Sequence, residues 1–180
     1  MAILKPIALF VLILYTSLVV QPNNANDITE ETCNKTPNYT LCIQYLKSDN
    51  SSSDASVLQL AIIMFRVMGD KSVTTLTKIN QILPTIPPVN PHAHVALLQC
   101  VNLYKSIEVF NARNGINALE RDAEPKRAEY FANQAIDKAN KCEVHFNGRL
   151  DGGTPVTDEN NAMNDIGKIT AAICQLIPAN

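Results

Sequence analysis

The stretch Pro125–Phe146 constrains the fold more than any other part of the chain. Pro125 suits the first position of a helix, where its missing N–H is not needed, and Asp122 and Glu124 just before it complement the helix dipole. At about 1.5 Å per residue, the predicted rod is roughly 33 Å long. A rod with one apolar face has to pack against other helices, so the sequence predicts a multi-helix fold. That face is predicted from apolar residues at intervals of three and four, namely Ala128, Phe131, Ala135, Ala139, Cys142 and Phe146.

Other parts of the chain show the same three-four spacing of apolar residues. No segment alternates apolar and polar residues convincingly enough to predict a strand. Four long amphipathic stretches joined by short or proline-stopped loops favour an all-α, up-and-down four-helix bundle. In the stretch before the rod, Phe110 is predicted to be the last residue of the apolar face. The further segments with this spacing are Ala55–Met68, Lys71–Leu83, His94–Phe110 and Asp158–Leu176.

Glycine, proline and polar residues set the expected boundaries of these helices. Gly69-Asp70 is predicted to interrupt or cap a helix, and the four prolines of Pro84–Pro91 end the next one. Asn114-Gly115 predicts a turn. Ahead of the bundle, Asp27–Leu46 predicts a helical hairpin extension, and Lys47–Asp54 is expected to be a polar linker because it has no periodicity.

The first 25 residues are predicted to be a secretory signal peptide. Lys5 precedes an apolar run from Pro6 to Val20, which is shorter than the roughly 20 residues of a bilayer span; a signal anchor is the alternative. Cleavage after Ala25 leaves residues 26–180 as one domain. Loss of Lys5 changes the net charge from −2 to −3, and such mild acidity argues against nucleic acid as a partner. The mature chain is expected to be extracellular, without membrane contact.

Five cysteines enter an oxidising compartment on this interpretation, so two disulfides and one unpaired thiol are expected. Cys100 and Cys142 both lie on apolar helix faces, and a bridge between them would join two rods. Cys33 and Cys42 lie in the predicted hairpin, where a bridge is also feasible. Cys174 lies next to the apolar face of the last helix, which favours a buried, inert thiol, with an intermolecular bridge as the alternative. Three N-glycosylation sequons begin at Asn34, Asn38 and Asn50.

No motif in the sequence predicts catalysis, a metal or a cofactor. His92 and His94 lack a suitably spaced cysteine or acid for a metal site, and His145 is better placed to complement a helix C-terminus. The chain also lacks the nucleophile elbow, the phosphate-binding glycine loop and the zinc-protease motif. The sequence therefore predicts a protein that is not an enzyme.

The segment Cys33-Asn-Lys-Thr-Pro-Asn-Tyr-Thr-Leu-Cys42 resembles the opening motif of plant invertase inhibitors and of the related pectin methylesterase inhibitors. The resemblance continues through the Cys100 to Cys142 interval, Cys142-Glu-x-x-Phe146 and the helical tail, which looks most like a pollen-allergen-like subgroup of invertase inhibitors. It implies a four-helix bundle with an N-terminal hairpin. It also implies bridges Cys33–Cys42 and Cys100–Cys142, with Cys174 free.

The resemblance also implies a function. Members of this family bind a carbohydrate-active enzyme one-to-one and cover its cleft without reacting, in the cell wall (apoplast) or the vacuole. Invertase inhibitors carry a Pro-Lys-Phe tripeptide, and Pro125-Lys126-Arg127 occupies that position here, 17 residues before Cys142. Lys126 and Arg127 could pair with carboxylates of the target, or they could be a solvated helix face. The resemblance leaves invertase and pectin methylesterase as targets; a carrier of hydrophobic ligands or a wall or pollen surface protein is the alternative.

Overall fold

A computed structural model describes residues 28–87, 89–146 and 154–178. The predicted signal peptide lies outside these residues. The described residues are helical and include no strand. The α-helices are α1 Ile28–Cys33, α2 Tyr39–Lys47, α3 Val57–Ile82, α4 Pro91–Ser106, α5 Arg113–Glu120, α6 Pro125–Val144 and α7 Thr157–Gln175.

The bundle consists of four long helical units: α3, α4–α5, α6 and α7. The helices α4 and α5 count as one unit because a π-helical segment, Ile107–Ala112, joins them without a break. Each unit packs against its neighbours in the sequence, and α7 closes the ring by packing against α3. The apolar face predicted for α6 is buried, with Ala128, Ala135 and Cys142 fully inaccessible. The predicted all-α four-helix bundle with two disulfides is therefore confirmed.

The disulfides join Cys33 to Cys42 and Cys100 to Cys142. The second one connects α4 to α6 across the core. Cys174 is free and almost fully buried. Burial, with a smaller contribution from the Glu129 carboxylate, raises the pKa of the Cys174 thiol to about 12, so this thiol stays protonated and shielded at neutral pH.

Both glycine boundaries expected within the bundle are wrong. Gly69 lies inside α3, which continues from Val57 to Ile82, and Gly115 lies inside α5. A Cβ on Gly115 would come within 2.2 Å of the buried Phe65 ring. Gly115 is therefore a close-approach position between two helices, where the sequence suggested a turn.

The hairpin α1–α2 lies beside the bundle, as predicted, and is closed by the Cys33–Cys42 bridge. The prediction that Lys47–Asp54 is a linker without regular structure is wrong in one respect. The segment contains a short 3-10 helix, Asn50–Ser52, in which Ser52 is buried. The Thr29 hydroxyl donates to the Ser52 carbonyl at 3.1 Å. This hydrogen bond attaches the segment to α1 despite its polar, aperiodic sequence.

Phe110 was expected at the end of a buried face, and the structure contradicts this. The side chain is 52% exposed. The π-helical segment shifts the register by about one residue, as such bulges do, so that Asn111 faces inward and is fully buried. Asn111 donates to the Phe131 carbonyl at 3.0 Å and accepts a hydrogen bond from Lys138.

Candidate functional site

The start of α6 is held in place by the end of α5. The Arg121 and Glu124 backbone amides donate to the carbonyls of Asn117 and Ala118, at 3.0 and 2.8 Å. Ala123 between them has φ 50°, a left-handed conformation that an alanine adopts at some cost. These contacts turn the chain sharply and place Pro125 at the first position of α6, as predicted.

Pro125, Lys126 and Arg127 then form the first turn of α6. Pro125 is half-buried, whereas Lys126 and Arg127 are exposed. Among the described residues, Lys126 forms no ion pair, so its ammonium group is available to a partner. These three residues together are called the basic tip below.

Arg127 interacts with its own loop. Its Nη1 lies 3.1 Å from Asp122 Oδ2 and 3.4 Å from Glu124 Oε2. Its guanidinium carbon also lies 5.9 Å from the centre of the Phe131 ring. Asp122 and Glu124, which were expected to complement the helix dipole, thus also fix the conformation of Arg127. The pairing with Asp122 was not predictable from the sequence, because it depends on the turn at Ala123.

An apolar groove of about 360 Å³ lies beside the basic tip. Its lining comes from three separate stretches of the chain, 56–58, 119–125 and 177–178, which is why sequence reasoning missed it. The lining residues are Ser56, Val57, Leu58, Leu119, Ala123, Pro125, Ile177 and Pro178.

Two exposed aromatic rings lie close together, Phe110 in the π-helical segment and Tyr130 in α6. The rings of Phe110 and Tyr130 pack edge-on against Phe131, with centroids 5.6 and 5.7 Å from it. Tyr130 is 57% exposed. Lys138 Nζ lies 5.5 Å from the Phe110 ring centre, a distance at which a cation is attracted to the ring. Phe110, Tyr130 and Phe131 are called the aromatic strip below.

A polar network fixes the opposite end of α6. Glu143 accepts from Thr157 Oγ1 at 2.7 Å and from Asn160 Nδ2 at 2.6 Å, and the Tyr104 hydroxyl donates to Asn160 Oδ1 at 2.8 Å. Burial, more than the charge of Glu159, raises the pKa of the Tyr104 hydroxyl. The network connects α4, α6 and α7 beside the Cys100–Cys142 bridge. Its role is therefore to stabilise the packing of these helices.

The remaining residues singled out from the sequence are dispersed. His92 and His94 are exposed on the first turns of α4, and the residues that the structure describes hold no group of three or more side chains suited to a metal. Asn34 and Asn50 are exposed, whereas the Asn38 side chain accepts from the Leu41 amide and caps α2. None of the described helices is both long and apolar enough to cross a bilayer.

The fold and the basic tip together define a class of protein: a disulfide-braced helical bundle with an exposed, basic helix start. Comparisons with known proteins narrow this class. The family described as plant invertase/pectin methylesterase inhibitor matches residues 27–174. The chain is 31% identical, over 81% of its length and 67% of the relative's, to the cell wall / vacuolar inhibitor of fructosidase 1 of Arabidopsis thaliana.

Solved structures agree on the fold. A mutant form of a pectin methylesterase inhibitor from Arabidopsis superposes with a TM-score of 0.67 at 20% identity, over 82% of this chain and 95% of that one. A pectin methylesterase inhibitor from Arabidopsis thaliana gives a TM-score of 0.62 at 20% identity, over 87% and 99%. The chain belongs to the plant invertase/pectin methylesterase inhibitor family.

Proposed function

We propose that this chain is a secreted inhibitor that binds a plant carbohydrate-active enzyme one-to-one and covers its active-site cleft without reacting. The observation that carries the proposal is the basic tip, an exposed helix start that is held by the α5–α6 turn and belongs to a rod cross-linked at Cys142. A rigid surface of this kind loses little entropy on docking. No cofactor is needed for such a blocking mechanism.

We assign different roles to the residues of the basic tip. Lys126 is exposed and forms no ion pair with another described residue, so it is the cation that pairs with carboxylates in the target's cleft. Glycosidases commonly place two carboxylates at the scissile bond, which gives Lys126 a partner of opposite charge. Arg127 positions the turn through Asp122 and Glu124, and Pro125 fixes where the helix starts.

Invertase is the proposed target, because Pro125 and Lys126 match two residues of the tripeptide of invertase inhibitors. The relative named an inhibitor of fructosidase supports the same choice. Pectin methylesterase is the second candidate, since Arg127 replaces the apolar third residue of that tripeptide.

We further propose that residues 1–25 are removed as a signal peptide and that residues 26–180 form the secreted inhibitor domain. The cell wall is the proposed location, with the vacuole as the alternative. Asn34 and Asn50 are exposed and open to glycosylation, and Asn38 retains its sequon while it caps α2. Peptide mapping of secreted protein, with and without glycosidase treatment, tests the cleavage site and each sequon.

The function is tested by titrating purified mature protein into separate invertase and pectin methylesterase assays. Stoichiometric inhibition of either enzyme supports the proposal. Lys126→Ala should weaken inhibition about tenfold or more, the size of effect expected for a desolvated ion pair. Lys168→Ala is the matched control, because Lys168 is an exposed lysine on α7. A protein that inhibits neither enzyme would refute the assignment.

The apolar groove supports one alternative, a carrier of small hydrophobic ligands. Its volume of about 360 Å³ falls near the lower end of the roughly 300–1,000 Å³ of ligand pockets. Binding of a fluorescent fatty acid, together with no inhibition of either enzyme, would favour this function. A Leu58→Glu variant should then release the probe.

A further inference from the structure

The basic tip is too small to hold a protein partner by itself. A specific protein interface buries about 800 Å² on each partner and involves roughly 20–30 residues a side. Three residues at a helix start provide only a small part of this area. If the chain inhibits an enzyme as proposed above, the enzyme has to contact a neighbouring surface as well.

Two exposed aromatic side chains lie near the basic tip. Phe110 and Tyr130 are each more than half exposed, and both rings contact Phe131. Tyr130 lies one helical turn beyond Arg127 on α6. Exposed aromatic residues with arginine nearby are typical of the energetically important centre of protein interfaces.

The fold places Phe110 outside through a specific local feature. The π-helical segment turns Asn111 into the core, where it bonds to the Phe131 carbonyl and to Lys138. A regular helix would continue the apolar face to Phe110 instead. π-Helical turns are found frequently at functional sites, and here the turn exchanges a buried phenylalanine for an exposed one.

Two cations contact the rings of the aromatic strip. Lys138 lies over Phe110, and Arg127 lies over Phe131. Asp122 and Glu124 are occupied by Arg127, and the charge of Asp137 acts on Lys138. Two further acids are close in the sequence: Glu108 in the π-helical segment, and Glu129, which accepts a hydrogen bond from Gln175. Aromatic rings bordered by cations are complementary to a surface that combines carboxylates with aromatic or apolar groups.

We propose that the aromatic strip is the second half of the enzyme-binding surface, so that the inhibited enzyme lies along the α6 side of the bundle and contacts Phe110 and Tyr130 while Lys126 enters its cleft. This inference rests on the proposed function. It specifies the partner's chemistry as the carboxylate- and aromatic-bearing rim of a carbohydrate-binding cleft. It also assigns the apolar groove, at least around Leu58, to the uncovered part of the surface.

Inhibition constants of single variants test this placement against the enzyme that the wild-type protein inhibits. Phe110→Ala and Tyr130→Ala should each weaken inhibition about tenfold or more, as truncation of an interface anchor does. Tyr39→Ala is the matched control, because Tyr39 on α2 is 43% exposed and lies in the hairpin. The control variant and Leu58→Glu, which alters the groove, should inhibit within about twofold of wild type.

Thermal unfolding separates loss of contact from loss of fold. Both aromatic side chains are more than half exposed, so the variants should unfold within about 3 °C of wild type. If the wild-type protein inhibits and both aromatic variants inhibit equally well, the proposed function stands and the aromatic strip is excluded. Weakening by Leu58→Glu alone would place the enzyme over the groove and overturn the inference. A wild-type protein that inhibits neither enzyme overturns both.

Discussion

Gly115→Ala is expected to destabilise the protein, although alanine is the better helix former. Gly115 lies inside α5, and a Cβ there would be 2.2, 2.4 and 2.5 Å from three atoms of the Phe65 ring. Phe65 is fully buried in α3, and a rigid ring in a packed core cannot move aside as the end of a flexible side chain can. The substitution therefore forces α5 away from α3.

The magnitude follows from two opposing terms. Overpacking of a core costs about 1–3 kcal/mol, and contacts this short, against three ring atoms, belong near the upper end. The gain in helix propensity on replacing glycine by alanine is about 1 kcal/mol. The net loss is then about 1–2 kcal/mol, which lowers the Tm of a domain of this size by about 2–8 °C.

Gly69→Ala is the matched control for this prediction. Gly69 is also inside a helix, but its added Cβ would lie 3.6 Å from the Ala112 Cβ, an ordinary contact. Only the propensity term applies there, so Gly69→Ala should raise stability by about 0.5–1 kcal/mol. Calorimetry or urea unfolding of both variants measures the difference. If Gly115→Ala were as stable as Gly69→Ala, the close approach of α5 to Phe65 would be refuted.

Three further predictions follow from the bridge, a buried thiol and the basic tip. Replacing Cys100 and Cys142 together by alanine should cost about 4 kcal/mol for a loop of this length, read from urea unfolding; an unchanged midpoint would contradict the stabilising role. Because the pKa of the Cys174 thiol is raised, its contribution to stability is complete below the unfolded-state pKa of about 8.5 and is lost as pH rises toward about 12. Between neutral pH and pH 10 the free energy of unfolding should therefore fall by about 1–2 kcal/mol because of this thiol, and the fall should be smaller in Cys174→Ala. Equal pH dependence of unfolding in the wild-type protein and the variant would refute this prediction. Arg127→Phe removes two exposed ion pairs worth about 0–1 kcal/mol each but restores the apolar third residue of the invertase-inhibitor tripeptide. Invertase inhibition should therefore strengthen about tenfold, and unchanged inhibition would show that position 127 does not contact the enzyme.

Much of the fold could be predicted from the sequence because it depends on local periodicity. The three-four spacing of Ala128, Phe131 and Cys142 sets which face of α6 is buried, and the structure confirms that face. The glycine boundaries failed for a physical reason. A glycine in a helix weakens it only by about 1 kcal/mol, and tertiary packing against Phe65 overrides that preference at Gly115.

The surroundings of the candidate site were less accessible to sequence reasoning. Pro125 could be placed at a helix start because the signal is local. The π-helical segment could not be predicted from local sequence, because the buried Asn111 that accompanies it bonds to Phe131 on a different helix. The pairing of Arg127 with Asp122 likewise depends on the left-handed backbone at Ala123. Such contacts are properties of the assembled bundle.

The Cys100–Cys142 bridge and the basic tip lie at opposite ends of α6, about 24 Å apart at the rise of a helix. Substitutions at that distance, without shared neighbours, are close to additive in their effects on stability. An exposed residue of the tip that forms no ion pair with another described residue, such as Lys126, can therefore change with little effect on the stability that the bridge provides. Under the proposed function, the bundle therefore keeps its covalent brace at one end of α6 and the residues that determine specificity at the other.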